Sequence, residues 1–170
     1  MNDFKVLFSE EEIQEKIKEI AKKLDDDFNG KEIVAICVLK GAAFFTVDLV
    51  KKMKTPIIFE TMQVSSYEGL ESTGNVVLKK DIELDIENKD VLIVEDIIDT
   101  GRTLKFLYDY LKTKNPNSLK IVTLLDKEER RMVKIKPDYC GYVIPNKFVV
   151  GYGFDIDEKY RNIPYIGYVE

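Results

Sequence analysis

A chain of 170 residues, 45% hydrophobic and 34% charged, carries enough apolar material for one globular domain with a real core. Its net charge of −5 argues against general nucleic-acid binding; no apolar run reaches membrane-spanning length, and Met1-Asn2-Asp3-Phe4-Lys5 is too polar for a signal peptide. Histidine is absent, which excludes His-based triads, zinc-hydrolase clusters and imidazole acid–base chemistry and leaves proton transfer to carboxylates and lysines.

In chain order, Ser9 with Glu12 forms a capping box before an apolar stripe at Ile13, Ile17, Ile20, Ala21 and Leu24, and Asn29-Gly30 stops that helix. Ile33 to Leu39 reads as a buried strand, Lys40-Gly41 as a turn, and Ala42 to Met53 as a helix. Ile57 to Val64 is rich in β-formers, Ser66 to Asn75 reads as a mobile polar loop, and Val76-Val77-Leu78 starts a further strand. A charged connection, Asp81 to Asp90, leads to the apolar strand Val91 to Val94, and Leu104, Phe106, Leu107, Tyr110 and Leu111 have helical spacing. Asn115-Pro116-Asn117 breaks to strand Ile121 to Leu125; strands follow near Tyr139 to Ile144 and at Phe148-Val149-Val150. Cys37 and Cys140 sit far apart in apolar runs and read as reduced core residues, which points to the cytoplasm. The alternation predicts an α/β fold, a mostly parallel sheet with helices on both faces. One domain spans 1–170, and the Tyr-rich tail is expected to be irregular, 151–170 contributing to a small C-terminal hood.

The stretch Val91-Leu92-Ile93-Val94-Glu95-Asp96-Ile97-Ile98-Asp99-Thr100-Gly101 carries the most chemistry. A buried strand runs into two adjacent carboxylates, a third three residues on, and the turn Thr100-Gly101-Arg102-Thr103 ahead of a helix. Ligands of open parallel sheets sit beyond the carboxyl ends of the strands. There the turn amides, a helix N-terminus, two hydroxyls and the Arg102 head suit a terminal phosphate, and Gly101 lets backbone approach it. Glu95 and Asp96 repel phosphate but accept from ribose hydroxyls or ligate Mg²⁺. One strand-loop-helix can thus hold a ribose 5-phosphate.

This segment resembles the phosphoribosyl-pyrophosphate (PRPP) motif of type I phosphoribosyltransferases, and Glu95-Asp96-Ile97-Ile98-Asp99-Thr100-Gly101 is similar to that of the hypoxanthine-guanine members. The resemblance runs from about Leu7 to Tyr168 and implies purine salvage. In it Glu95 to Ile98 and Thr100 to Thr103 hold ribose and phosphate, and Asp99 is the general base at purine N7. It also implies that Lys40-Gly41, a step carrying a non-proline cis peptide, binds pyrophosphate together with Arg161. Lys127 would donate to the exocyclic oxygen of a 6-oxopurine, a carbonyl that three ammonium donors fit and an amine does not. The run Lys127-Glu128-Glu129-Arg130-Arg131 otherwise reads as mostly solvated face. Phe148 would stack on the base, Val149 would read it through backbone, Asp155 would join Glu95 and Asp96 on Mg²⁺, and Ser66-Tyr67 would form a catalytic lid.

Other phosphoribosyltransferases (adenine, orotate, uracil) share such a loop, but their third acid is usually small or apolar, so Asp99 with Lys127 favours hypoxanthine and guanine. A regulatory module that senses PRPP and binds nucleic acid would bring a basic face or an added domain, which this acidic chain lacks. A dinucleotide reading of Gly151-Tyr152-Gly153 fails, because Ile156 stands where the third glycine should be. Arg102 departs from the lysine of many relatives. The partners expected are PRPP and a 6-oxopurine, with no nucleic acid or membrane, and relatives imply a homodimer or homotetramer.

Overall fold

A computed structural model describes residues 4–66 and 75–170. The chain forms strands β1 (Lys5–Phe8), β2 (Ile33–Leu39), β3 (Ile57–Ser66), β4 (Val76–Lys80), β5 (Asp90–Ile98), β6 (Ser118–Asp126), β7 (Tyr139–Val143), β8 (Phe148–Val150) and β9 (Ile166–Val169). Helices are α1 (Glu10–Phe28), α2 (Ala43–Lys52) and α3 (Arg102–Lys112). Six strands build the main sheet in the order β4-β3-β2-β5-β6-β7, parallel throughout except for β3–β4. Parallel neighbours need crossovers, and these put α1 and α2 on one face and α3 on the other.

Two-faced burial explains why the central strands read as unbroken apolar runs. In β2, Ile33 packs with α1 and α2, while Val34, Ile36 and Val38 pack with α3. In β5, Leu92 and Val94 join the first cluster and Val91 and Ile93 the second. The α1 stripe fills one side with Ile13, Ile17, Ile20, Ala21 and Leu24, and Leu104, Leu107 and Leu111 of α3 fill the other. The capping box is present, with Glu12 N donating to Ser9 Oγ (3.2 Å) and Ser9 N to Glu12 Oε2 (2.8 Å). Asn29 ends α1 in a left-handed conformation (φ 48°).

Two expectations need correction here. The hood holds a second antiparallel sheet, β1-β9-β8, in which β1 from near the N-terminus joins two strands of the C-terminal part. Its β9 lies in the tail expected to be irregular, although residues 151–165 carry only isolated bridges. Neither four-residue strand has an alternation long enough to be read alone; each is made a strand by its partner. The second correction concerns β5, which does not stop at Val94. It continues paired to β6 up to Ile98↔Asp126, so Glu95 to Ile98 are strand and the loop begins at Asp99. On its other side β2 leaves β5 after Cys37↔Val94. Chain direction across the sheet reverses between β2 and β5, which makes their parting a topological switch point and opens the crevice where such folds bind ligands.

Candidate functional site

Glu95 and Asp96 stand at the end of β5 beside that opening. Their carboxylates turn back on the strand: Asp96 N donates to Glu95 Oε1 (3.1 Å) and Ile97 N to Asp96 Oδ1 (2.6 Å). Glu95 is 8% exposed. Burial, and next the Asp96 charge beside it, pushes Glu95 well above the usual carboxylate range. Burial pushes Asp96 up as well, while its bonds to Glu95 and the Ile97 amide and the Arg161 guanidinium pull it back. The pair is therefore reluctant to carry two negative charges unless a cation or a hydrogen-bond donor joins it.

The Lys40-Gly41 turn packs directly on this pair. The cis peptide lies between Leu39 and Lys40, one bond earlier than expected. A Cβ on Gly41 would collide with the Asp96 carboxylate, and a Cβ on Gly153 would collide with the Gly41 carbonyl oxygen. Asp96, Gly41 and Gly153 thus form a close stack joining β5, the β2 loop and the hood. Gly153 also has φ +99°, a conformation side chains rarely adopt. Gly153→Ala is expected to cost about 2 kcal/mol or more, seen as a melting temperature lowered by roughly 4–8 °C.

The hood brings its charges to the same place. Arg161 donates to the Gly153 carbonyl (Nη1, 2.6 Å) and pairs with Asp155 (3.4 Å) and Glu158 (3.4 Å). Its Nε is buried without a hydrogen-bond partner. Lys40 Nζ reaches the same Glu158 at 2.8 Å. Asp155 accepts from the Glu158 amide (2.8 Å). Left-handed Asp157, Glu158 and Tyr160 turn the tail back on itself to make this possible. Glu158 was not anticipated, because nothing in an acidic tail marks which carboxylate will face a lysine 118 positions earlier.

A second group gathers where β5 and β6 end. Asp99 is held by Arg130 (Nε–Oδ1, 2.6 Å) and by Lys127 (Nζ–Oδ2, 3.8 Å). Lys127, at 7% exposure, follows the last residue of β6, and its amide donates to the Ile98 carbonyl (2.9 Å). The charged run after β6 is not simply a solvated face. Arg131 is half-buried and pairs with the buried Asp126, and it also donates to the Ile135 carbonyl (2.9 Å). Gly101 caps α3 at φ +87°, and a Cβ there would meet Arg131 Cδ and Ile135 Cγ2, both at 2.8 Å. Its lack of a side chain therefore serves the packing of the loop against the 131–135 segment as well as access from outside. No side chain of Gly101 occupies the first amides of α3, Thr100 Oγ1 accepts from the Arg102 amide at 3.4 Å, and Arg102 is exposed. A turn of this form presents its amides and hydroxyls to an anion.

Phe148 is 59% exposed, whereas the Val149 side chain is buried and leaves only backbone for contact. Ser66 ends β3 opposite Val76; Tyr67 lies outside the described residues. Glu95, Asp96 and Asp155 do not form a ready cage: among the described residues no group of three carboxylates or thiols is placed to hold a metal ion. Nor is any described helix long and apolar enough to cross a membrane. The site expected from the motif thus comes together as two clusters, Glu95-Asp96-Gly41-Lys40-Arg161-Asp155 and Asp99-Lys127 with the α3 turn.

The chain is similar to known proteins along nearly its whole length. A family described as the phosphoribosyl transferase domain matches residues 7–157. The hypoxanthine-guanine phosphoribosyltransferase of Staphylococcus aureus is 52% identical over 168 residues, covering 98% of this chain and 94% of that protein. The bifunctional protein TilS/HprT of Listeria monocytogenes is 50% identical over 164 residues, and the chain spans 25% of its length. The crystal structure of a hypoxanthine-guanine phosphoribosyltransferase from Bacillus anthracis, with a HEPES molecule in its active site, superposes with a TM-score of 0.94 at 48% identity, covering 99% of this chain and all of that one.

Proposed function

The chain belongs to the phosphoribosyl transferase family, and from that premise we propose that it is a purine salvage enzyme: it moves the 5-phosphoribosyl group of PRPP to N9 of hypoxanthine or guanine and releases pyrophosphate. The observation that carries the choice of base is Asp99 beside Lys127 at the mouths of β5 and β6. A carboxylate and an ammonium 3.8 Å apart match the acidic N–H edge and the carbonyl oxygen of a 6-oxopurine. Adenine would set an amine against the lysine.

In this reading the α3 turn (Thr100 to Thr103) holds the 5-phosphate, and Glu95 and Asp96 accept from the ribose hydroxyls. Lys40 and Arg161 neutralise the departing pyrophosphate. Asp99 takes the proton from the base so that N9 can attack C1, and Lys127 fixes the carbonyl. Phe148 stacks on the ring and the Val149 backbone reads its edge.

Mg²⁺ fits the donor set. It binds through one or two carboxylates plus substrate oxygens and keeps several waters; the crowded Glu95–Asp96 pair offers two carboxylates, and Asp155 would join only through substrate or water, since the three are not gathered into a cage. The ion would supply charge neutralisation at the pyrophosphate. The proposal includes a cytoplasmic enzyme acting as a homodimer or homotetramer.

The direct test is to incubate the protein with PRPP, Mg²⁺ and each of hypoxanthine, guanine, xanthine, adenine and uracil, and to separate the products chromatographically. Inosine and guanosine monophosphates are the expected products. Adenosine or uridine monophosphate in their place would overturn the assignment.

A further inference from the structure

We propose that Arg130, which lies outside the residues assigned above, is a positioning residue for the Asp99 carboxylate, holding one oxygen so that the other faces the base. The inference rests on the transferase reading and goes beyond it. Asp99 has two cationic neighbours, and they are not equivalent. Lys127 Nζ stands 3.8 Å from Oδ2, beyond hydrogen-bond length, whereas Arg130 Nε donates to Oδ1 at 2.6 Å.

The segment bearing Arg130 is strapped to the loop bearing Asp99. Lys127 N donates to the Ile98 carbonyl (2.9 Å) and Met132 N to the Thr100 carbonyl (2.9 Å), one backbone bond on either side of Asp99. Between those straps residues Glu128–Arg130 form one 3₁₀ turn, closed by Arg130 N donating to the Lys127 carbonyl (3.0 Å). Arg130 therefore moves with the carboxylate it holds.

The division of labour follows from the chemistry. When a 6-oxopurine enters, the Lys127 ammonium turns to the exocyclic oxygen and its hold on Oδ2 weakens. Arg130, a fixed cation with directional donors, stays on Oδ1. Oδ2 is then the free acceptor: the purine N–H bond breaks, its electron pair stays on the ring, and the proton forms an O–H bond on Oδ2. Without Arg130 the half-exposed Asp99 can rotate away, and misplacement of a reacting group is felt in turnover more than in binding of a distant part of the substrate.

The test compares Arg130→Gln and Arg130→Lys with the parent in the nucleotide-forming assay, and repeats Arg130→Gln in an Asp99→Asn background. Arg130 is surface-exposed, so each variant is expected to melt with the parent. Arg130→Gln is expected to lower kcat by about 10-fold with KM for PRPP unchanged, and Arg130→Lys to recover part of that loss. In the Asp99→Asn background the same change should cost less than about twofold, because the group being positioned is gone. Full activity in Arg130→Gln overturns the proposal, as does an equal loss with and without the Asp99 carboxylate. Unimpaired Asp99→Asn would remove the base itself and with it this role. Loss in Asp99→Asn with none in Arg130→Gln leaves the transferase reading standing and refutes only the positioning.

Discussion

Asp99→Asn is expected to lower kcat for nucleotide formation by about 10²–10⁴-fold, the usual worth of a positioned general base, with PRPP binding little changed. An amide keeps the size of the side chain and one carbonyl acceptor for Arg130, so the loop and its straps stay in place. What it cannot do is accept a proton from the purine at neutral pH. The phosphate turn and the Glu95–Asp96 pair lie on other side chains, which is why KM for PRPP is expected to stay within a small factor. Pre-steady-state single turnovers with radiolabelled PRPP separate the chemical step from binding and release. An undiminished single-turnover rate would show that the base is deprotonated by another group.

Glu95→Gln is expected to raise stability and abolish most activity at once. Glu95 is buried beside a second carboxylate, and its affinity for a proton is higher in the folded chain than in the unfolded one. Below the usual carboxylate range both states are protonated and the group's contribution is fully present; it is lost as pH rises through the elevated folded pKa. Each unit of that elevation is worth about 1.4 kcal/mol. The glutamine variant carries no such penalty, so its melting temperature should exceed the parent's near pH 8 by roughly 2–4 °C for each kcal/mol recovered, and the two should converge near about pH 4. The same change removes an anionic acceptor for ribose hydroxyls or Mg²⁺, and kcat/KM should fall by about 10–100-fold, the worth of one hydrogen bond to a charged group. Thermal melts across pH check the first half and steady-state assays the second; a variant less stable than its parent near neutrality would mean that the folded state favours the Glu95 charge.

Sequence pattern alone marks Asp99 and Glu95 as site candidates, and it hides other residues for physical reasons. Strands β2 and β5 announce themselves because both faces are buried, and Ile33 to Leu39 and Val91 to Val94 are apolar without a break. Asp99 and Lys127 each stand just past such a strand, where chemistry in parallel sheets collects. Arg130 is the third of four charged residues after Lys127, and no periodicity says which of them reaches Asp99; the two backbone straps decide it. Gly153 was visible as part of a Gly-x-Gly, yet its reason is a collision with Gly41 more than a hundred residues away. The pairing of β1 with β9 is likewise settled by neighbours distant in sequence. Local pattern reveals elements whose own composition demands them, and stays silent where a partner makes the element.

The pairing of β1 with β9 has a consequence for the order in which the protein is made. Lys5 lies opposite Tyr168, so β1 must wait through the synthesis of all the residues between them before its partner exists. At about 5–20 residues per second that wait is on the order of 10–30 s. During it the parallel sheet can assemble around α1 and α2, but the hood cannot close, and Gly153 and Arg161 have no fixed place over Gly41 and Asp96. The crevice is therefore finished only after β9 has been made, and a nascent chain short of β9 would carry its α3 turn without the hood charges that stand beside it.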